Sequence, residues 1–237
     1  MRLSDAAGTF SLIPVPLKRR KSSSRLPVYD RVLRGALVLA GGRSKRFGPK
    51  KPLAKLDGRP LVLHVLDAAT RVADEVVIAV GREDHATPYR RLAGKSVRVL
   101  KDRLHEKSPL VGIVTGFQAM KSQYSLVLSC DTPFAKPDVL ELLFKKAFGS
   151  DAAIPKWPNG DLEPLQSVYK VRSALPAARR ALSQGGFRLV DMIRQLGTIT
   201  YVPVREIKRF DRDVVTLFNV NTAADLIRAE KICQRSP

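Results

Sequence analysis

The segment LVLAGGRSKRFGPKK, residues 37–51, carries an apolar run into a glycine pair and then into Arg43, Lys45, Arg46, Lys50 and Lys51. A strand leaving through Gly41 and Gly42 lets backbone N–H groups approach a ligand with no Cβ in the way. Such N–H groups suit phosphate oxygens, and the cations behind them suit a polyanion. Further along, apolar runs end at Lys101-Asp102 and at Cys130-Asp131-Thr132-Pro133, and LFNVN ends at Asn221. A carboxylate paired with an amide oxygen can hold Mg2+, which takes hard oxygen ligands and keeps several waters. In open parallel sheets ligands bind beyond the carboxyl ends of the strands, so these four tips can share one edge.

Other phosphate sites are excluded by spacing. Lys50 and Lys51 are followed by Pro52, not by the Ser or Thr of a Walker loop. GGRSKRFG does not place glycines at the first, third and sixth positions of a dinucleotide fingerprint. His64, His85 and His105 have no second ligand at metal spacing and read as structural or solvated groups. Ser129, Cys130 and these histidines form no nucleophile–base set, so no covalent intermediate is expected. Trp157 and Phe187 read as core residues by default, with lining of a substrate cleft as the alternative.

The elements that must position these tips follow from periodicity. GALVLAGG from Gly35, EVVIAVG, SVRVLKD and YSLVLSCD read as buried strands, apolar on both faces. Residues 60–72, opening at Pro60, have helical spacing. SPLVGIVTGFQAM reads as a helix with Ser108 as N-cap, and 136–148 as a helix with a lysine-rich last turn. DAAIPKW and LEPLQSVYKV read as strands around Pro158-Asn159-Gly160. ALPAARRALSQ and FRLVDMIRQL then read as helices, ITYVPV and LFNV as late strands, and TAADLIRAEKI as a helix capped by Thr222. Strands and helices alternating at this pitch specify an α/β fold: a single doubly wound, mostly parallel sheet with helices on both faces.

Composition bounds the rest. The 237 residues include 44% apolar side chains, enough for a full core in one domain over 35–237. Residues 1–34, with KRRKSSSR among prolines, read as a basic flexible tail. No run is long and apolar enough to span a bilayer, no secretion signal is evident, and the two distant cysteines make no disulfide framework. The expected compartment is the cytoplasm. The net charge of +20 supports salt-sensitive association with anions, and leaves room for an acidic protein partner. No nucleic-acid-binding signature accompanies it, so specific nucleic-acid binding is not expected.

LAGGRSKRFGPKKPLAKLDGRPL resembles the nucleotidyltransferase signature, LAGG, three residues, Arg, an apolar residue, Gly, then Lys. With KDRLHEKSPLVGIVTGFQAM, SCDTPF, EPLQSVY and LFNVNTAADL, the chain is most similar to the molybdenum cofactor guanylyltransferases. The resemblance covers nearly everything from Gly35 onward and implies a Rossmann-like nucleotidyltransferase fold. It implies GTP held by Leu39, Ala40, Gly41 and Gly42, with Lys51 at the phosphates and Asp102 at the nucleoside end. It places Asp131 on nucleotide and Mg2+, with Asn221 as a second metal-side ligand, and makes Arg46, Lys51 and Asp131 the catalytic set. Gly81 stands where some relatives carry a nucleoside-contacting Asn, and Gln166 where relatives frequently have His. The implied reaction is Mg2+-dependent transfer of GMP from GTP to the terminal phosphate of molybdopterin, with or without bound molybdenum, releasing pyrophosphate. Other readings are a nucleotidyltransferase with a cobinamide phosphate, sugar phosphate or cytidylyl chemistry, and a non-catalytic anion-binding relative.

Overall fold

The structure, a computed structural model, describes residues 32–41 and 51–235. In chain order the strands are β1 (Arg34–Leu39), β2 (Lys55–Leu56), β3 (Arg59–Pro60), β4 (Glu75–Val80), β5 (Val97–Lys101), β6 (Tyr124–Ser129), β7 (Ala152–Lys156), β8 (Gln166–Lys170) and β9 (Ile199–Pro203). The helices are α1 (Leu61–Val72), α2 (Ala86–Ala93), α3 (Pro109–Ala119), α4 (Pro137–Ala147), α5 (Val171–Ser183), α6 (Leu189–Ile193), α7 (Val204–Ile207) and α8 (Ala223–Arg235). Single 3₁₀ turns lie at Lys51–Leu53 and Val215–Leu217.

Seven strands form one sheet in the order β5-β4-β1-β6-β8-β7-β9. β1 pairs in parallel with both β4 and β6, β4 with β5, and β7 with β9; only β8 runs antiparallel to its neighbours. The chain therefore steps outward from β1 through β4 to β5 and returns to the other side of β1 as β6. That reversal opens a crevice at the carboxyl ends of the central strands, where doubly wound sheets bind ligands.

Alternation along β1 shows how the sheet buries both faces. Ala36, Val38 and Ala40 point into the core shared with α1, α2 and α4, whereas Leu37 and Leu39 join the core of α3, α5 and α6. This is the period-two pattern of a strand covered on both sides. On α3, Gly112 and Gly116 face Leu39 and Leu37. A Cβ at Gly116 would sit 2.3 Å from Leu37 Cδ1, so the glycines bring the helix backbone down onto β1. The expected Ser108 cap is present: its Oγ accepts the Leu110 N–H at 3.1 Å.

A third, smaller cluster joins Leu56, Leu61, Val220 and Ala229. It packs the β2–β3 hairpin against α8. The hairpin turns through Asp57 and Gly58, both at positive φ (49° and 70°), the left-handed pair that a two-residue turn requires. Asp57 also donates its N–H to Glu230 Oε1 of α8 at 3.1 Å. The Thr222 cap takes full capping-box form, because Thr222 Oγ1 accepts from the Asp225 N–H while the Asp225 carboxylate accepts from the Thr222 N–H.

Several expectations are corrected. LFNV is not a strand: Leu217 ends a 3₁₀ turn, and Phe218–Val220 run without a sheet partner. Asp211 holds that segment instead, accepting the Thr216 N–H at 2.7 Å and pairing with Lys136 at 2.9 Å. FRLVDMIRQL forms only the five-residue helix α6. α5 begins at Val171 directly behind β8, and contains Pro176. α2 was not foreseen. Phe187 is not core but 48% exposed. β1 opens at Arg34, and most of the basic tail, residues 1–31, lies outside the described residues.

Candidate active site

Three backbone bonds assemble the site. Ala40 donates to Ala79 C=O at 2.9 Å and Cys130 to Leu39 C=O at 3.1 Å, which aligns the ends of β1, β4 and β6. Val220 donates to Asp131 C=O at 2.9 Å, which draws the segment before α8 onto the end of β6. Lys51 reaches the same point from the 3₁₀ turn before the hairpin, where its C=O accepts the Ala54 N–H at 3.0 Å. The result is a cleft of about 1120 Å³ at the carboxyl edge of the sheet. Leu39, Ala40, Gly41, Lys51, Asp102, Asp131 and Asn221 all line it. Gly42 and Arg46 lie outside the described residues.

At its floor Lys51 Nζ lies 2.5 Å from Asp131 Oδ2 and 2.9 Å from Asn221 Oδ1. Lys51 and Asp131 are each 8% exposed. Asp131 Oδ1 is buried with no hydrogen-bond partner among the described residues. An unsatisfied carboxylate oxygen in a cleft is costly unless a ligand completes it. Asp131 and Asn221 thus present hard oxygens side by side, a donor set that fits Mg2+ held by one or two protein groups and completed by water and phosphate. No cluster of three or more His, Cys, Asp or Glu occurs among the described residues, so an all-protein cage is not formed there.

Gly41 lines the cleft and also has a packing role. A Cβ on Gly41 would lie 2.5 Å from the Gly81 nitrogen, so the glycine serves the close approach of two strand ends. Gly81 N–H is in turn bound by Asp84 Oδ2 at 2.9 Å. The Ala40 N–H is already committed to Ala79, so it is no phosphate donor.

Asp84, Asp102 and Glu106 also line the cleft, beside Arg82 and Lys107. Asp102 Oδ1 is a second buried oxygen without a hydrogen-bond partner. Burial pushes the Asp102 carboxyl up from the ordinary range, Thr115 hydroxyl opposes the shift, and Asp84 adds to it. Asp84 lines the cleft too, and sequence reading missed it because it sits in a polar stretch with no recognisable spacing. Neither Asp84 nor Asp102 has a cation within ion-pair distance among the described residues. Carboxylates in this state suit hydrogen-bond donors on a ligand, such as ribose hydroxyls or a base edge. Ser108 and Pro109, at the N-terminus of α3, line the same cleft.

The remaining expectations fall out simply. Burial pushes the Cys130 thiol far up, Asp131 reinforces this, and no thiolate nucleophile results. His64 Nε2 lies 3.0 Å from Leu56 C=O in a structural contact, and His85 and His105 are exposed. Trp157 packs on the core and donates Nε1–H to Glu163 at 2.7 Å. Gln166 is 1% exposed, and its Nε2 has no hydrogen-bond partner among the described residues.

Residues 36–199 match the MobA-like NTP transferase domain. The chain is 35% identical over 201 residues to a Methanosarcina mazei protein named "Probable molybdenum cofactor guanylyltransferase", covering 83% of this chain and 89% of that one. It is 32% identical to the molybdenum cofactor guanylyltransferase of Desulfosudis oleivorans, covering 82% and 93%. Among solved structures it resembles molybdopterin-guanine dinucleotide biosynthesis protein A from Archaeoglobus fulgidus, with a TM-score of 0.73, 30% identity, and coverage of 85% and 99%. The 4-diphosphocytidyl-2C-methyl-D-erythritol synthase of Anaerococcus prevotii shares the fold at 15% identity, with a TM-score of 0.66 and coverage of 86% and 96%.

Proposed function

The chain belongs to the MobA-like NTP transferase family, and from that membership we propose that it transfers GMP from GTP to the terminal phosphate of molybdopterin, releasing pyrophosphate. It is a nucleotidyltransferase, and the observation that carries the finer reading is the convergence of Lys51, Asp131 and Asn221 at one cleft floor. The relatives' names supply the guanine nucleotide and the acceptor.

The molybdopterin phosphate is already anionic, so it attacks the α-phosphorus without a strong general base. A P–O bond forms to it as the α–β P–O bond breaks, and pyrophosphate leaves with the electron pair. What the protein must do is hold two repelling anions in line and neutralise charge as it shifts. Lys51 offers three N–H donors to the phosphates. Asp131, with Asn221, would hold Mg2+, which when bound would supply Lewis-acid neutralisation of the phosphate oxygens. Asp102 and Asp84 accept from donors of the nucleoside. Cys130 is buried and its thiol pushed up, so it offers no thiolate for a covalent route.

The test is a panel of GTP, CTP, ATP and UTP with Mg2+ and molybdopterin, read as pyrophosphate release. Release with GTP in clear preference supports the reading. Equal release with CTP, or release only with another phosphorylated acceptor, moves the chain to a neighbouring reaction of the same fold.

A further inference from the structure

Lys51 occupies the place of a cation. Its ammonium bridges Asp131 Oδ2 and Asn221 Oδ1 at 2.5 and 2.9 Å, while Asp131 Oδ1 stays buried and without a hydrogen-bond partner among the described residues. We propose that Lys51 is a built-in stand-in for the divalent ion and thereby couples metal binding to nucleotide binding. The inference rests on the cleft being a nucleoside triphosphate site, and its test needs no acceptor.

In the free chain the ammonium already neutralises Asp131 and fills the Asn221 acceptor. A divalent ion arriving alone meets an ammonium crowded against the same carboxylate, in a site screened poorly by solvent. It must either displace Lys51 into water-poor surroundings or share one negative charge with it. A triphosphate removes the conflict. Its oxygens supply more negative charge than Lys51 can balance, and the flexible four-carbon stem lets the ammonium turn toward them. Asp131 Oδ2 and Asn221 Oδ1 are then released to the divalent ion. Because coupling is reciprocal, nucleotide and metal each tighten the other by the same factor. Lys51, 8% exposed and bonded to both oxygens, is the element on which that factor depends.

The experiment titrates Mn2+, as a spectroscopic substitute for Mg2+, into the full chain and reads free ion by electron paramagnetic resonance. It is run with and without a GTP analogue carrying a methylene α–β bridge, with the Mn2+ held by the analogue alone subtracted. Wild type should bind Mn2+ roughly 5- to 150-fold more tightly in the presence of the analogue, the usual span of such couplings. Lys51→Met should bind Mn2+ without nucleotide more tightly than wild type does, and its coupling should fall toward one. Lys51→Gln removes the charge while keeping hydrogen-bonding capacity, and provides the same reading if Lys51→Met does not fold. Equal Mn2+ affinity of wild type with and without bound analogue overturns the proposal. So does nucleotide-free Mn2+ affinity that neither variant changes. An analogue that fails to bind at all overturns the nucleotide reading, and this inference with it.

Discussion

Lys51 and Asp131 lie 80 positions apart in sequence and meet at 2.5 Å on the floor of the cleft, each 8% exposed. Such a pair is held by the fold around it, since removing two charges from water offsets much of their attraction. Breaking it by removing one partner leaves an uncompensated buried charge.

Lys51→Met should therefore destabilise the chain by about 3–5 kcal/mol in urea unfolding, the usual cost of orphaning a buried ion. Combining it with Asp131→Leu should recover most of that stability while activity stays absent. A double variant as unstable as the single one would show that the pair's surroundings, not its charges, set the cost.

Gly41→Ala tests the close approach of β1 and β4. The new methyl would lie 2.5 Å from the Gly81 nitrogen, with no flexible side chain to yield. The two strand ends must part, at a cost of about 1–3 kcal/mol typical of overpacking. Activity should fall as well, because the same strand ends shape the cleft. Unchanged melting temperature and turnover would contradict this.

Nucleotide binding should carry an acid limb set by Asp102. Burial, with Asp84 adding and Thr115 opposing, holds its carboxyl above the ordinary aspartate range in the free chain. If the ionised form accepts nucleoside donors, binding releases the proton. Affinity for GTP should then weaken as pH falls through that raised value, sooner than an ordinary aspartate would allow. Calorimetric titrations across mildly acidic pH should show the limb in wild type and a flattened profile in Asp102→Asn.

Asp211 governs acid stability at a distance from the cleft. Burial pushes its carboxyl up, but the Thr216 N–H and Lys136 more than offset this and leave it lowered. A lowered folded value means stabilisation that is fully present above the unfolded value of about 3.9 and lost as pH falls through the folded one. Asp211→Asn should lower stability at neutral pH and lose less of it below about pH 4 than wild type. Parallel pH–stability curves for the two proteins would contradict the assignment. Because Asp211 also pins the segment leading to Asn221, turnover should drop in the variant.

What could be read from sequence depended on how local the signal was. The runs at 34–39, 75–80 and 124–129 are apolar on both faces, and Ser108-Pro109 starts a helix by its own chemistry. These elements emerged where periodicity and caps put them. Asp131 and Asn221 were found because they stand at the ends of apolar runs. Their bridging by Lys51 was not foreseen, since it follows from long-range packing in which Leu56 of the β2–β3 hairpin meets Val220 and, on α8, Ala229. α2 escaped notice because ATPYRRLA buries only Tyr89 and Ala93 and carries a proline. LFNV has strand composition, but Asp211 tethers Thr216 and the chain follows the tether. Asp84 was invisible for the same kind of reason: only the approach of Gly41 to Gly81 gives it a place.

The proposed GMP transfer at this cleft floor is read out by mass analysis of its product. Purified chain, Mg2+, molybdopterin and labelled GTP should yield the guanine dinucleotide of molybdopterin with one pyrophosphate per product. Asp131→Ala should lose at least about two orders of magnitude in turnover, as expected for a key electrostatic group. No dinucleotide from wild type, or undiminished turnover by Asp131→Ala, would contradict GMP transfer at this site.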